Sequence, residues 1–163
     1  MVVLKNILVA TDFSEPSAVA MAYGRDMARS YDATLHVLHV VEDVMMRYSP
    51  EVAFAIPDLQ RDLEQAAHRD LAATITDDDR RTLKVVPVVQ TTFNVPTGII
   101  EYAKAHAIDL IIVGTHGRSA VKQLLLGSSA ERVVRSAPCP VLAVRAKERD
   151  FIQPDALVAV AKA

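Results

Sequence analysis

The stretch VGTHGRSAVKQLLLGSS, residues 113–129, decides how the rest of the chain is interpreted. It ends in two serines and holds three of the five glycines in the 163-residue chain, which are Gly114, Gly117 and Gly127. Glycine lets a backbone turn sharply, and it lets main-chain amides approach an anion that a Cβ atom would block. The stretch therefore indicates either two tight turns followed by a helix cap, or a loop that holds phosphate.

The regions on either side of this stretch predict an α/β fold. Short apolar runs rich in β-branched residues predict strands at residues 6–11, 34–41, 83–89, 110–114 and 140–145. Runs that are apolar at nearly every position are typical of parallel strands covered on both faces. Segments with helical spacing of apolar residues lie between them, at residues 15–30, 58–76, 96–107 and 129–137. Strands that alternate with helices predict a parallel sheet with right-handed crossovers.

Composition restricts the class of protein. A chain of 163 residues fits one domain, which we expect at residues 1–146, followed by a C-terminal tail at residues 147–163. The formal net charge is −2, so we expect no general attraction to nucleic acid or to an anionic membrane, and no apolar run is long enough for membrane insertion. Cys139 is the single cysteine, which excludes an internal disulfide and favours a soluble protein of the cytoplasm.

Two segments do not fit the alternation of strands and helices. Residues 42–57 form a long connection, and connections of that length are uncommon unless they cover something or lack order. The charged sequence TDDDRR, residues 76–81, is interpreted as a solvated turn.

Candidate ligand-binding residues lie at the carboxyl ends of the predicted strands. Asp12 follows the first strand, Val40 lies at the end of the second, and Gly114 ends the fourth. Open parallel sheets bind ligands at this edge, where the strand order reverses, and a helix N-terminus after Gly127 would offer N–H groups to phosphate. Asp12 would accept hydrogen bonds from ribose, or it would cap the helix that starts near Ser14. The main chain of Val40 would contact an adenine edge.

Other chemically versatile side chains have simpler interpretations. His36 and His39 are three residues apart on the second strand and are expected to face opposite sides of the sheet, which argues against a shared metal ion. Cys139 lies between two prolines, and nothing near it in sequence resembles an activating base, so we expect a weakly reactive thiol.

The spacing Gly114-x2-Gly117-x9-Gly127-Ser128 resembles the nucleotide-binding signature of the universal stress protein family, in its ATP-binding subgroup. The resemblance extends over residues 4–145. NILVATDFSEPSAVAMAYGRDMA resembles the family's first strand and helix, and TLHVLHVVE its second strand. DLIIVGTHGRS resembles its fourth strand, and LLLGSSAERVVRSAPCPVLAVR its last helix and strand.

The resemblance implies a fold, a ligand and a site. The fold is an open five-stranded parallel sheet in the order 3-2-1-4-5 with helices on both faces, Rossmann-like and of the adenine nucleotide alpha hydrolase type. The ligand is ATP with Mg²⁺, with AMP or cyclic AMP as alternatives. His116 would contact phosphate or would be a solvent-facing loop residue. The residues placed around the nucleotide are Ala10, Thr11, Asp12, Val40, Val113, Gly114, His116, Gly117, Arg118, Gly127, Ser128 and Ser129.

The implied function is that of a nucleotide-dependent regulatory or stress-resistance protein with a protein partner that the sequence does not name. The family commonly forms homodimers through the last strand, here residues 140–145. An interaction protein indifferent to nucleotide and a slow ATP hydrolase are the alternatives. The chain has no Gly-x4-Gly-Lys-Ser/Thr loop, and no catalytic residue or metal ligand is assigned, so we expect at most slow hydrolysis.

Overall fold

The computed structural model describes residues 1–47, 49–51, 58–115 and 127–146. All five predicted strands are present: β1 (Asn6–Ala10), β2 (Thr34–Glu42), β3 (Lys84–Thr92), β4 (Leu110–Gly114) and β5 (Val141–Val144). They form one sheet in the order β3-β2-β1-β4-β5, and every neighbouring pair is parallel. The predicted fold class and strand order are confirmed.

In the described residues, helices lie between the strands. They are α1 (Glu15–Tyr31), α2 (Val44–Arg47), α3 (Leu59–Thr74), α4 (Asp77–Thr82), α5 (Val95–Ala105) and α6 (Ser128–Ser136). The four predicted ones, here α1, α3, α5 and α6, begin and end within one or two residues of the predicted positions, and α2 and α4 were not predicted. The short helix α2 begins the connection predicted at residues 42–57. In the part of the chain that the structure describes, no helix combines the length and the apolar character needed to cross a bilayer.

The sheet carries a hydrophobic core on each face, because successive side chains of a strand point to opposite sides. Ile7 and Val9 of β1 pack in a cluster that includes Met21 of α1 and Leu71 of α3. Leu8, between them, packs in a second cluster with residues of α5 and α6. The expectation of helices on both faces is therefore confirmed, and β1 is buried from both sides.

The interpretation of residues 76–81 as a solvated turn is wrong. Residues 77–82 form α4, which begins with a capping box in which Thr76 and Asp79 exchange side-chain and main-chain hydrogen bonds. Asp79 is 1% exposed and receives the guanidinium of Arg25, with Nε at 2.8 Å from Oδ1 and Nη2 at 2.8 Å from Oδ2. Arg25 also donates to the carbonyl of Thr74 at 2.8 Å. This ion pair attaches α4 and the end of α3 to α1.

Pro87 lies in β3, one of the two outer strands of the sheet. In a parallel sheet, the main-chain groups of successive residues point alternately to the two neighbouring strands. The carbonyl of Leu38 in β2 accepts a hydrogen bond from Thr11, just after β1, so the main-chain groups of the preceding residue, Val37, point to β3. Pro87 is the register partner of Val37. In a parallel pair this places the backbone nitrogen of Pro87 away from β2, at the outer edge of the sheet. The missing N–H therefore removes a donor from the free edge of β3 without breaking the ladder, as is typical of proline in edge strands.

Candidate functional site

The strand order reverses between β1 and β4, and the carboxyl ends of these strands define the candidate site. Ala10 is the last residue of β1 and pairs with Val113 of β4 on one side and Leu38 of β2 on the other. The side chains of Ala10 and Val113 pack on the core under α5 and α6, and Val113 is 4% exposed. The side chains of these two predicted site residues are therefore used in packing beneath the strand ends.

Thr11 ends the main-chain ladder of β1 and holds the start of α1. Its N–H donates to the carbonyl of Leu38 at 2.9 Å. Its hydroxyl accepts from the N–H of Phe13 at 3.0 Å and lies 3.1 Å from the Ser17 hydroxyl, and Thr11 is 7% exposed. The side chain of this predicted site residue is used inside the fold, in the turn from strand to helix.

Asp12 is half-buried at the tip of β1 and hydrogen-bonds to the residue that precedes α1. Its Oδ1 accepts from the N–H of Ser14 at 3.1 Å and from the Ser14 hydroxyl. Ser14 is the N-cap residue of α1. The carboxylate thus orders the helix start while it remains at the mouth of the crevice.

Phe13 and His39 form a stacked pair beside Asp12 that sequence reasoning did not assign to the site. Their ring centroids are 4.4 Å apart with an interplanar angle of 25°. Nδ1 of His39 lies 2.8 Å from the carbonyl oxygen of Thr11, and Phe13 has a φ of 64°, in the left-handed region. A phenylalanine gives no sequence signal for this conformation, because bulky residues rarely adopt it.

Val40 directs its main chain into the space beyond β1. Its side chain is 6% exposed and lies against Gly98 of α5, where an added Cβ would come within 3.0 Å of Cγ2. Since Leu38 bonds β1 and bonding directions alternate along β2, the N–H and C=O of Val40 also point to the β1 side. The ladder with β1 ends one rung earlier, at Thr11, so both groups of Val40 are directed at the crevice.

Gly114 is required by packing. A Cβ at this position would lie 2.9 Å from the main-chain carbon of Pro16 and 3.0 Å from the nitrogen of Ser17. The first turn of α1 therefore lies directly against the end of β4. The sequence suggested a sharp turn or a phosphate contact as the reason for this glycine. The close approach of a helix is a third reason.

The start of α6 is attached to the end of β4 beside the crevice. Gly127 is the N-cap residue, and its N–H donates to the carbonyl of Thr115 at 2.6 Å. Thr115, which the sequence analysis did not assign, is 2% exposed and donates its own N–H to Val144 of β5 at 2.8 Å. Ser128 and Ser129 are exposed in the first turn, where main-chain N–H groups lack partners within the helix.

These contacts place the N-terminus of α6 beside β4 and the outward-directed main-chain groups of Val40 on the other side of β1. The N-terminus of α6 carries a partial positive charge that favours phosphate. The predicted residues His116, Gly117 and Arg118 lie outside the described residues. Among the residues that the structure describes, no three His, Cys, Asp or Glu side chains come together to hold a metal ion.

A separate group of rings lies on the α5 side of the sheet. His36 of β2 is 7% exposed, and its Nδ1 lies 2.9 Å from the hydroxyl of Tyr102 on α5. His106 stacks on Tyr102 with centroids 3.9 Å apart. Burial, helped by the nearby His106, lowers the pKa of His36 below its usual 6.5. His36 packs with α5 while His39 packs on Phe13, so the prediction that the two histidines face opposite sides is confirmed.

Residues 4–145 match the family model described as the universal stress protein family. The chain is 38% identical over 149 residues to universal stress protein A homolog 1 of Coxiella burnetii, a match that covers 88% of this chain and 98% of that protein. It is also similar to the solved structure of universal stress protein UspA from Lactobacillus plantarum, with a TM-score of 0.76 and 28% identity over 89% of this chain and 100% of that one.

Two more distant solved structures share the fold and were determined with nucleotides. One is the universal stress protein of Archaeoglobus fulgidus in complex with dAMP, with a TM-score of 0.61 and 16% identity over 88% of this chain and 99% of that one. The other is a universal stress protein in complex with cAMP, with a TM-score of 0.58 and 22% identity over 89% and 99%. Because the family model spans nearly the whole chain and the Coxiella relative is similar over almost its full length, the chain belongs to the universal stress protein family.

Proposed function

We propose that this protein binds an adenine nucleotide at the carboxyl ends of β1, β2 and β4 and acts as a nucleotide-dependent regulatory or stress-resistance factor. ATP with Mg²⁺ is the proposed ligand, and AMP and cyclic AMP are the alternatives. The proposal is supported by the crevice geometry and by the dAMP and cAMP complexes of two proteins with the same fold. The single observation that carries it is the pair of main-chain groups of Val40 directed past the end of β1.

The main chain of Val40 suits adenine better than guanine. Its N–H and C=O point the same way, which offers one donor and one acceptor side by side. The Watson–Crick edge of adenine presents an acceptor next to an amino donor and matches this pair, whereas the corresponding edge of guanine presents the reverse order. The proposed site therefore selects the base without any side-chain contact.

The sugar and the phosphates are proposed to follow the strand ends toward α6. The Asp12 carboxylate, held by Ser14, is placed to accept from ribose hydroxyls beside Val113 and Gly114. The phosphates would then reach Gly127 and the first turn of α6, where N–H groups and the helix dipole favour negative charge. His116, Gly117, Arg118, Ser128 and Ser129 complete the proposed phosphate contacts.

Isothermal titration with ATP and Mg²⁺, and with GTP and Mg²⁺, tests this proposal. We expect saturable heat with ATP and much weaker binding of GTP. Gly127→Val is an informative variant, because Gly127 has φ −57° and ψ 147°, which other residues also adopt. Its side chain should block phosphate without straining the backbone. Ser128→Ala should weaken ATP binding, and Ser136→Ala, at the opposite end of α6, is its matched control. The absence of ATP binding by the unaltered protein would refute the proposal.

We also propose a homodimer through the outer edge of β5. The β3 edge carries Pro87, which removes a donor that strand pairing would use, and the β5 sequence Val141–Val144 has neither proline nor charge. Size-exclusion chromatography with light scattering tests this, and a monomer at micromolar concentration would refute it. A cytoplasmic location, a protein partner and at most slow hydrolysis of ATP stay predictions from the sequence.

A further inference from the structure

The turn between β1 and α1 is held in a conformation that its sequence does not favour. Phe13 has a φ of 64°, and the left-handed region is unfavourable for a bulky aromatic residue. Such strain persists only where surrounding contacts impose it, and it is concentrated at ligand-binding sites. The residues on either side of Phe13 are Asp12, at the mouth of the crevice, and Ser14, the N-cap of α1.

His39 contacts this turn at two points. Its Nδ1 lies 2.8 Å from the carbonyl oxygen of Thr11, and its ring stacks on Phe13 at 4.4 Å between centroids. A carbonyl oxygen can only accept, so Nδ1 carries the proton and donates. One side chain from β2 therefore contacts both the first carbonyl beyond the β1 ladder and the strained aromatic residue two positions later.

The bond from His39 also changes what the neighbouring residue can do. In a parallel ladder, the rung after Thr11 N–H to Leu38 would join the N–H of Val40 to the carbonyl of Thr11. His39 donates to that carbonyl instead, from the position just before Val40. The ladder stops there, and the chain leaves β1 through the turn at Phe13.

We propose that His39 is a positioning residue for the adenosine half of the ligand. By donating to the Thr11 carbonyl it leaves the N–H of Val40 to the base, and by stacking on Phe13 it holds Asp12 at the ribose. The inference rests on the proposed nucleotide site and deepens it. His39 does not act on the phosphates, which lie toward α6.

Two variants separate the two contacts. His39→Phe keeps a ring that can stack on Phe13 but has no donor, whereas His39→Asn keeps an amide donor near the position of Nδ1 and loses the stack. Titrations of the full chain with AMP and with inorganic triphosphate measure the two halves of the ligand separately, and thermal unfolding measures stability. We expect AMP affinity to fall about tenfold in His39→Phe, the effect of one hydrogen bond, and to recover in part in His39→Asn. Triphosphate affinity should be unchanged in both.

The outcomes also separate this inference from the function on which it rests. If the unaltered protein binds no adenosine nucleotide, both are refuted. If it binds AMP and both variants bind AMP equally well, or if AMP and triphosphate affinities fall together with the melting temperature, only the role of His39 is refuted. Nitrogen-15 NMR of the unaltered protein gives a check that needs no variant: neutral His39 should carry its proton on Nδ1, and a proton on Nε2 alone would overturn the inference.

Discussion

Asp79→Asn should be far more destabilising than Asp78→Asn, although the two carboxylates are neighbours in α4. Asp79 has a side chain 2% exposed and receives two nitrogens of Arg25, whereas Asp78 has a side chain 52% exposed and pairs with Arg29 and Arg81 at the surface. Breaking a buried pair costs about 3–5 kcal/mol. Because the Arg25 side chain keeps 23% exposure and some hydration, we expect about 2–3 kcal/mol for Asp79→Asn.

Asp78→Asn is a matched control, because both residues lie in the first turn of α4 and lose the same favourable interaction with the helix dipole. We expect about 0.5–1 kcal/mol for this variant. Urea unfolding at neutral pH measures both, and the melting temperature of Asp79→Asn should fall by roughly 4–12 °C in a chain of this length. Equal stabilities of the two variants would refute the reasoning that the contact with Arg25, rather than charge at a helix start, makes Asp79 important.

Three further outcomes follow from single contacts. Gly114→Ala should cost about 1–3 kcal/mol in urea unfolding, because its Cβ would lie 2.9 Å from the main-chain carbon of Pro16, and wild-type stability would contradict this packing role. The pKa of His36 is lowered by burial and by His106, so below pH 6.5 the unfolded state binds more protons than the native state. The free energy of unfolding should therefore decrease as the pH falls below 6.5, and this decrease should be smaller in His36→Leu. Burial raises the pKa of the Cys139 thiol, so alkylation at neutral pH should be slow in the native protein and fast in urea; rapid native labelling would exclude a structural thiol.

The fold was predictable because the strands are short, apolar and separated by segments with helical periodicity. The order of the strands came from the family resemblance, and the sheet confirms it. The error at residues 76–81 has a physical cause. Three consecutive aspartates indicate solvent, and composition does not reveal that Arg25, 54 residues earlier, is placed to pair with one of them.

The sequence predicts which strand ends border the candidate site, but it predicts few of the side-chain contacts there. Asp12 and Gly127 lie where the pattern placed them, beside the switch point of the sheet. Gly114 has a packing cause that depends on where α1 lies, and the sequence does not specify the distance between a helix and a strand end. Phe13, in its left-handed conformation, stacks on His39, which follows it by 26 positions and belongs to another strand, so the sequence around Phe13 does not reveal the contact.

Pro87 also bears on how copies of this chain could assemble. A sheet that could accept a neighbour along both borders would add chains without limit, and a continuous ribbon or fibre would result. The edge strand β3 carries Pro87, which has no N–H to donate to a further strand, so the addition of another copy is disfavoured on that side. Association through the β5 edge alone would join two copies and then stop, so a closed pair would be the end point and polymerisation would be avoided.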